Sequence, residues 1–350
     1  MGERPGSLWD RTAPSRPRLG VRLLLGLSLA ACLFLVVLQA WWILTPAAAI
    51  RSGPLVVEIP ARSGFLDVAR ILDRAGVIRS PAGFVLLTVV RGSMRTLKAG
   101  EYQIPQGANT ATVLALLEAG RVLQHSVVFR EGSTVAELAR QLGAEGLTQP
   151  EEILRVARDG LFLRTLDLPA DSVEGYLFPD TYQFVKGMTA EEILARMVVR
   201  MRERVSADIL AAARARDLSF HGLVTLASII EKEAVDPAEM PLISAVFWNR
   251  LKLEMPLQAD PTVQYAVGKE RLRLTREDLT VESPFNTYRR PGLPPGPIAS
   301  PGLPALRAAA NPAPVGYLYF VASDERNHRF SVTLADHNAA VARYRVEHAR

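Results

Sequence analysis

The apolar residues of this 350-residue chain fall into runs of different period. From Leu23 to Leu44 no charge occurs and Leu, Val and Ala dominate, a length that suits a membrane-spanning helix of about 20 apolar residues. Short stretches then read as strands, Val56-Val57-Glu58-Ile59 and Glu101-Tyr102-Gln103-Ile104. After Gly146 the helical period takes over, predicting helices from Ala190 to Val205, through the run that starts at Leu223, and from Pro241 to about Leu253. On the last of these, Leu242, Ile243, Val246, Phe247, Arg250 and Leu251 share an arc, one arginine among apolar positions. From Pro256 to Pro314 the pattern is irregular and proline-rich, centred on Leu293-Pro294-Pro295-Gly296-Pro297. Loops that long inside a compact domain are usually functional. Tyr317-Leu318-Tyr319-Phe320-Val321 and Arg329-Phe330-Ser331-Val332 predict a strand pair, and Leu334 to Arg345 a closing helix. The fold class is α+β.

Two segments resemble each other at an offset of 70 residues. Ile59-Pro60-Ala61-Arg62-Ser63 leads into Asp67, Ala69, Arg70, Leu72 and Gly76. Phe129-Arg130-Glu131-Gly132-Ser133 leads into Glu137, Ala139, Arg140, Leu142 and Gly146. Each predicts a short strand, a turn and a helix closed by glycine. Gly107-Ala108-Asn109-Thr110 through Leu117 and Gly120 has the same turn-then-helix form. Two copies are too few for a solenoid, so a small αβ module used twice is expected. This grammar is similar to the LysM-like β-α-α-β module that binds glycan strands, and Leu55 to about Pro105 fits it best.

Charge gives the first segment a direction. Met1 to Arg22 carries Arg4, Arg11, Arg16, Arg18 and Arg22 against Glu3 and Asp10. The arginine excess before the span, with Trp41 and Trp42 at its far end as an interfacial belt, predicts a cytoplasmic N-terminus and an extracytoplasmic body. Ala47-Ala48-Ala49 after Pro46 would suit a signal peptidase, so a cleaved signal peptide is the alternative, although its apolar region is usually shorter, about 7–15 residues. The expected organisation is a tail over 1–22, a transmembrane helix over 23–44, a linker over 45–54, a glycan-binding-type module over 55–125 and a second domain over 126–350. The net charge is +5, of which the tail holds +3 (five arginines less two acids). The body is therefore weakly basic and has no nucleic-acid footprint. The single cysteine, Cys32, falls inside the span, so the exported part has no disulfide and no thiol chemistry.

The run Leu223-Val224-Thr225-Leu226-Ala227-Ser228-Ile229-Ile230-Glu231-Lys232-Glu233 carries the candidate chemistry. At roughly 100° per residue, Leu223, Leu226, Ile229, Ile230 and Glu233 share one face, and Glu231 lies about 160° away from Glu233. If that face is buried, Glu233 enters apolar surroundings at the helix end. Desolvation then raises its pKa and keeps a proton available near neutral pH, as glycosidic-bond-cleaving enzymes require of a general acid. A Glu-Lys-Glu at a helix end is also a common solvated turn.

Other chemistries have little to stand on. His125, His221, His328, His337 and His348 are scattered, with no His-Glu-x-x-His pair and no cysteine ligands, so no metal site is expected. His328 and His337 read as surface or hydrogen-bonding residues. There is no Gly-x-Ser-x-Gly elbow and no phosphate-cradling glycine loop, so neither serine chemistry nor a nucleotide cofactor is expected. Carboxylates remain: Glu231, Glu233, Asp180 and Asp260. A surface rich in Tyr, Asn, Gln and carboxylates suits a polyol polymer.

Glu174-Gly175-Tyr176-Leu177-Phe178-Pro179-Asp180-Thr181-Tyr182 resembles a block of the endolytic murein transglycosylases (the MltG, or YceG-like, family). So do Leu226 to Glu233, Phe247-Trp248-Asn249-Arg250-Leu251 and Leu257-Gln258-Ala259-Asp260-Pro261-Thr262-Val263-Gln264-Tyr265. Asn286-Thr287-Tyr288, Gly292 to Ile298, Tyr317 to Val321 and the stretch from Phe330 to His337-Asn338 continue the match in family order. The resemblance implies a membrane anchor, a LysM-like module and a catalytic domain. It further implies cleavage of the β-1,4 bond between N-acetylmuramic acid and N-acetylglucosamine within nascent glycan strands, leaving 1,6-anhydromuramoyl ends. Its catalytic glutamate corresponds to Glu233. Asn249, Arg250, Gln258, Asp260, Asn286 and Tyr288 are the cleft candidates it points to, each with support of an irregular backbone as the other reading. Glu231, Asp180 and Tyr182 are expected to be structural, Glu231 paired with an arginine or lysine. Peptidoglycan strands are the expected substrate, and peptidoglycan synthases (penicillin-binding proteins) the partners the resemblance suggests. Two rival functions stay open: a non-catalytic glycan-binding scaffold for synthases, and a hydrolytic muramidase with Asp260 as second carboxylate.

Overall fold

The structure, a computed structural model, describes residues 19–47, 54–268, 273–324 and 326–347. The basic tail before residue 19, Ala48-Ala49 and most of the expected linker lie outside the described residues. Two compact units are formed, Met1–Leu123 and Gln124–Arg350. The first runs α1 (Leu19–Leu44), β1 (Leu55–Ile59), α2 (Phe65–Arg74), α3 (Pro81–Val90), β2 (Gly100–Ile104) and α4 (Thr110–Ala119). The second begins β3 (Gln124–Phe129), α5 (Val135–Ala144), α6 (Pro150–Val156), α7 (Gly160–Thr165), β4 (Asp180–Val185) and α8 (Ala190–Arg204). It continues α9 (Ala207–Arg214), α10 (Phe220–Glu233), α11 (Met240–Lys252), α12 (Asp260–Val267), α13 (Leu303–Ala310), β5 (Tyr319–Ala322), β6 (His328–Ser331) and α14 (Leu334–Glu347). The fold is mixed α+β, with the described strands in three antiparallel pairs.

Helix α1 is long and apolar enough to cross a membrane, a property that anchors and signal sequences share.

The offset-70 resemblance corresponds to a shared topology. Strand β1 pairs with β2 around two helices, and β3 pairs with β4 around three. Gly76 and Gly146, at φ 67° and 68°, close α2 and α5 in the left-handed conformation that glycine adopts without a side-chain clash. In both, the next amide returns to a carbonyl five residues back, Val77 to Leu72 at 2.8 Å and Leu147 to Leu142 at 3.0 Å. The likeness extends further than the sequence reading took it. Tyr102 and Tyr182 occupy the same place in β2 and β4, both buried, and each hydroxyl donates to the carbonyl four residues before it, Lys98 at 2.7 Å and Phe178 at 2.6 Å. Left-handed Gly107 and Gly187 then lead into α4 and α8, capped by Asn109 and Thr189. Each unit thus carries a β-α-α-β-α pattern, with α7 as extra material in the second.

Each unit has its own apolar core. In the second, α10 is the central element and packs against α9, α11, α12 and α13. Every residue from Gly222 to Ile230 is buried, so α10 has no solvent face over that stretch. This corrects the single buried Leu/Ile face expected from the periodicity. Its polar members survive burial because they are bonded: Thr225 donates to His221 O at 2.8 Å, and Ser228 donates to Thr225 O at 2.7 Å while accepting the Ile298 amide at 3.1 Å. The second bond ties the proline-rich loop to the helix.

The stretch expected to be irregular from Pro256 to Pro314 contains α12 and α13. Both carry proline in the first turn, Pro261 and Pro304, where its missing N–H costs nothing and its fixed φ suits a helix start. Gly175, at φ 79°, sits where a β-carbon would collide with Pro297, so the Glu174-Gly175-Tyr176 turn and that loop meet through a glycine.

Candidate active site

Glu233 is the last residue of α10, and the Ala234 amide closes the helix on Ile230 O at 2.9 Å. Protein surrounds the Glu233 carboxyl while leaving it some contact with solvent. Its pKa is pushed up to about 8, first by loss of hydration and then by the negative charge of Asp260, with Arg250 pulling the other way. The negative end of the α10 dipole acts in the same direction as the desolvation. Among the described residues no group hydrogen-bonds this carboxyl.

Three elements supply its surroundings. Arg250, near the end of α11, is buried and spends its guanidinium on backbone: Nε donates to Leu318 O at 2.8 Å and Nη1 to Leu257 O at 2.7 Å. Its guanidinium also lies 5.4 Å from the Tyr319 ring centroid, a cation–π contact. Asp260 opens α12, exposed, and accepts the Tyr288 hydroxyl at 2.6 Å. Burial and the Asp260 charge push the Tyr288 phenol far up, so it stays a donor. Gln258 is exposed with φ 53°, its amide on Thr287 O at 3.1 Å, and it accepts a longer contact of 3.4 Å from Arg250 Nη1.

The two asparagines lie in the layer beneath. Asn249 Nδ2 donates to Val315 O and Tyr317 O, both at 2.9 Å. Asn286 is fully buried, donates to Leu279 O and Val281 O at 3.0 and 2.9 Å, and accepts the Tyr288 amide at 3.0 Å. Both hold the irregular backbone that carries Tyr288 and β5, the reading left beside substrate contact in the sequence.

Glu231 and Glu233 point to different neighbourhoods. Glu231 Oε2 accepts the Gly302 amide at 2.9 Å, so its partner is a backbone N–H and not the arginine or lysine expected. Burial pushes its pKa up to about 7, with Glu131 adding to the rise and Gly302 and Lys232 opposing it. The neighbouring Lys232 reaches Gly132 O at 3.2 Å. Asp180 and Tyr182 belong to neither neighbourhood: Asp180 pairs with Arg200 at 2.8 Å, and Tyr182 is bonded to Phe178 O.

Two further residues join the Arg250 cluster: Tyr319, not expected at the site, and His337, expected as a surface or hydrogen-bonding residue but half-buried, its Nδ1 without a hydrogen-bond partner among the described residues. Their rings stack at 5.3 Å, and burial followed by the Arg250 charge holds the His337 pKa down. Their only sequence signal was membership of the last two resemblance blocks, since a strand tyrosine and a helix histidine carry no local mark of a shared site.

Fold and site describe an α+β chain in which a desolvated glutamic acid with a raised pKa faces the charges of an arginine and an aspartate, the aspartate held by a tyrosine. The chain belongs to the YceG-like family, which it matches over residues 57–343. It is 32% identical over 303 residues to a Bacillus subtilis (strain 168) protein named endolytic murein transglycosylase, covering 82% of this chain and 84% of that one. A Streptococcus pneumoniae (strain D39) protein of the same name is 30% identical over 334 residues, covering 86% of this chain, which spans 60% of that protein. The crystal structure of a YceG-like protein from Listeria monocytogenes aligns with a TM-score of 0.58 at 33% identity, over 82% of this chain and 98% of that one.

Proposed function

We propose that this protein is an endolytic lytic transglycosylase of peptidoglycan, cleaving the β-1,4 bond between N-acetylmuramic acid and N-acetylglucosamine, with Glu233 as its one acid–base group. The observation that carries this reading is the Glu233 carboxyl, pushed up to about 8 and without a hydrogen-bond partner among the described residues. At neutral pH it is mostly protonated and can donate to the glycosidic oxygen as the C1–O4 bond breaks, releasing the N-acetylglucosamine hydroxyl. The muramoyl C6 hydroxyl attacks C1 of the same sugar, closing the 1,6-anhydro ring, and the Glu233 carboxylate takes the hydroxyl proton. The acid is restored and no water is consumed. Hydrolases instead need a second carboxylate as base or nucleophile.

The neighbours have roles in keeping with this cycle. Asp260 disfavours the charged form of Glu233, Tyr288 holds Asp260, and Gln258 and Asp260, both exposed, are the groups best placed to meet sugar hydroxyls. Arg250, Asn249 and Asn286 act by positioning backbone. The β-α-α-β arrangement of the first unit supports the LysM-like reading, and α1 supports a single-pass anchor with the catalytic unit outside the cytoplasm, near the strands that peptidoglycan synthases produce. Mass spectrometry of digested glycan strands tests the proposal: anhydromuramoyl ends support it. Reducing ends would identify a muramidase using Asp260, and an absence of new ends would identify a glycan-binding scaffold.

A further inference from the structure

Helix α3, Pro81–Val90, is apolar on nearly every side, and only part of it faces the core. Phe84 and Thr88 are fully buried. Ala82, Leu86, Val89 and Val90 are exposed, Val90 by 74%, and they fall within about 100° of arc on the opposite side. Met94 is also exposed, four residues past the end of the helix. Arg91 and Arg95 lie on the same exposed segment, Arg91 in a half-exposed pair with Glu118.

The position of this stripe relative to α1 decides what covers it. A β-carbon on Gly83, beside the stripe, would touch Gln39 and Ile43 of α1 at 3.1 and 3.2 Å, so the two helices are in close contact there. Leu38, Gln39, Trp42 and Ile43 form the partly covered strip of α1, while residues 20–37 are bare. Arg79 lies over the Trp41 ring at 5.1 Å and donates to Pro46 O at 2.8 Å, and Asn109 donates to Leu44 O. Counted from Leu23, just after Arg22, about 20 uncharged residues at 1.5 Å per residue cover the roughly 30 Å of a bilayer's hydrocarbon and end at Trp42, so the partly covered strip of α1 lies at the far edge of the span. The part of the first unit that follows α1 therefore begins where the hydrocarbon ends, with Trp41 and Arg79 at headgroup depth.

We propose that the exposed face of α3, from Ala82 to Met94, docks on the bilayer surface beside the α1 span, its apolar side chains entering the interface and Arg91 and Arg95 meeting lipid phosphates. The proposal rests on the reading of α1 as a membrane anchor. An apolar stripe continuous with the span, flanked by arginine, has the composition of an interfacial helix. The docking would hold the first unit flat against the membrane instead of letting it swing on α1.

The test uses the full chain in phosphatidylcholine–phosphatidylglycerol vesicles, with a fluorophore on native Cys32 or, in a Cys32→Ser background, on Val90→Cys or Met94→Cys. Lipids with brominated acyl chains serve as the quencher. Quenching at Cys32 reports the anchor, and quenching at Val90 and Met94 reports docking. The expected result is strong quenching at all three positions. Quenching at Cys32 with unchanged emission at Val90 and Met94 would overturn the docking alone. No quenching at Cys32 would overturn the anchor reading and the docking with it.

Discussion

Gly302 donates its amide to Glu231 at 2.9 Å, and this bond separates the fates of two glutamates two residues apart. Glu231 is committed to the backbone that opens α13, while the Glu233 carboxyl has no hydrogen-bond partner among the described residues. A glutamine at 231 keeps a carbonyl oxygen that can accept the Gly302 amide, so Glu231→Gln is expected to fold normally and to cleave at a rate comparable to the parent. Glu231→Ala strands that amide and is expected to lose about 1–3 kcal/mol of stability in urea denaturation.

Stability should also fall as pH rises. Both glutamates are raised in the folded state, to about 7 and about 8, from an ordinary value of 4.5. Between those values the folded chain holds protons that the unfolded chain has released, so the unfolded state binds fewer and the slope of stability against pH is negative. The contribution is full below about 4.5, declines through 7 to 8 and is flat above. For Glu231 alone the loss is on the order of 3 kcal/mol. Urea midpoints measured from pH 5 to 9 should show this decline, and Glu231→Gln should remove the smaller share of it, leaving the part due to Glu233.

Asp260 discriminates between one-carboxylate and two-carboxylate chemistry. Its negative charge helps to hold the Glu233 pKa up, so Asp260→Asn should lower that pKa. Cleavage by an acid requires the protonated form, so the alkaline limb of the rate profile is expected near pH 8 in the parent and at lower pH in Asp260→Asn, with activity retained below it. Loss of turnover at every pH with glycan binding unchanged would make Asp260 a second catalytic carboxylate.

Arg250 holds β5 and the Leu257 turn through backbone carbonyls in two directions. Lysine reaches only as a point charge and cannot reproduce that fork. Arg250→Lys is expected to lose about 2 kcal/mol of stability by thermal or urea unfolding, since hydrogen bonds from a charged group are worth roughly 1.5–3 kcal/mol. Its cleavage rate should fall with the order of β5.

Much of this was legible in the residues. The strands β1 and β2, the helices α8, α11 and α14 and the paired segments at offset 70 follow from period and turn chemistry, which are local. Helix α10 was found for a reason only partly right: its buried stretch has no dry side and wet side, so periodicity alone could not rank Glu233 above Glu231, and both are desolvated. What ranks them is Gly302 against Asp260 and Arg250, contacts made across 71 residues, 27 residues and 17 residues of chain that no local pattern encodes. Helices α12 and α13 were hidden because proline reads as a breaker until it is placed at a helix start. Asn249 and Asn286 looked like sugar-binding amides, and only their backbone partners reveal what they hold.

The most direct measurement is mass spectrometry of glycan strands incubated with the full chain and with Glu233→Gln, whose fold is checked by its thermal transition. The account predicts fragments with 1,6-anhydromuramoyl ends, one water lighter than hydrolysis products, from the parent and none from a folded Glu233→Gln. Reducing-end fragments from the parent, or anhydro ends from Glu233→Gln at the parent's rate, would contradict it.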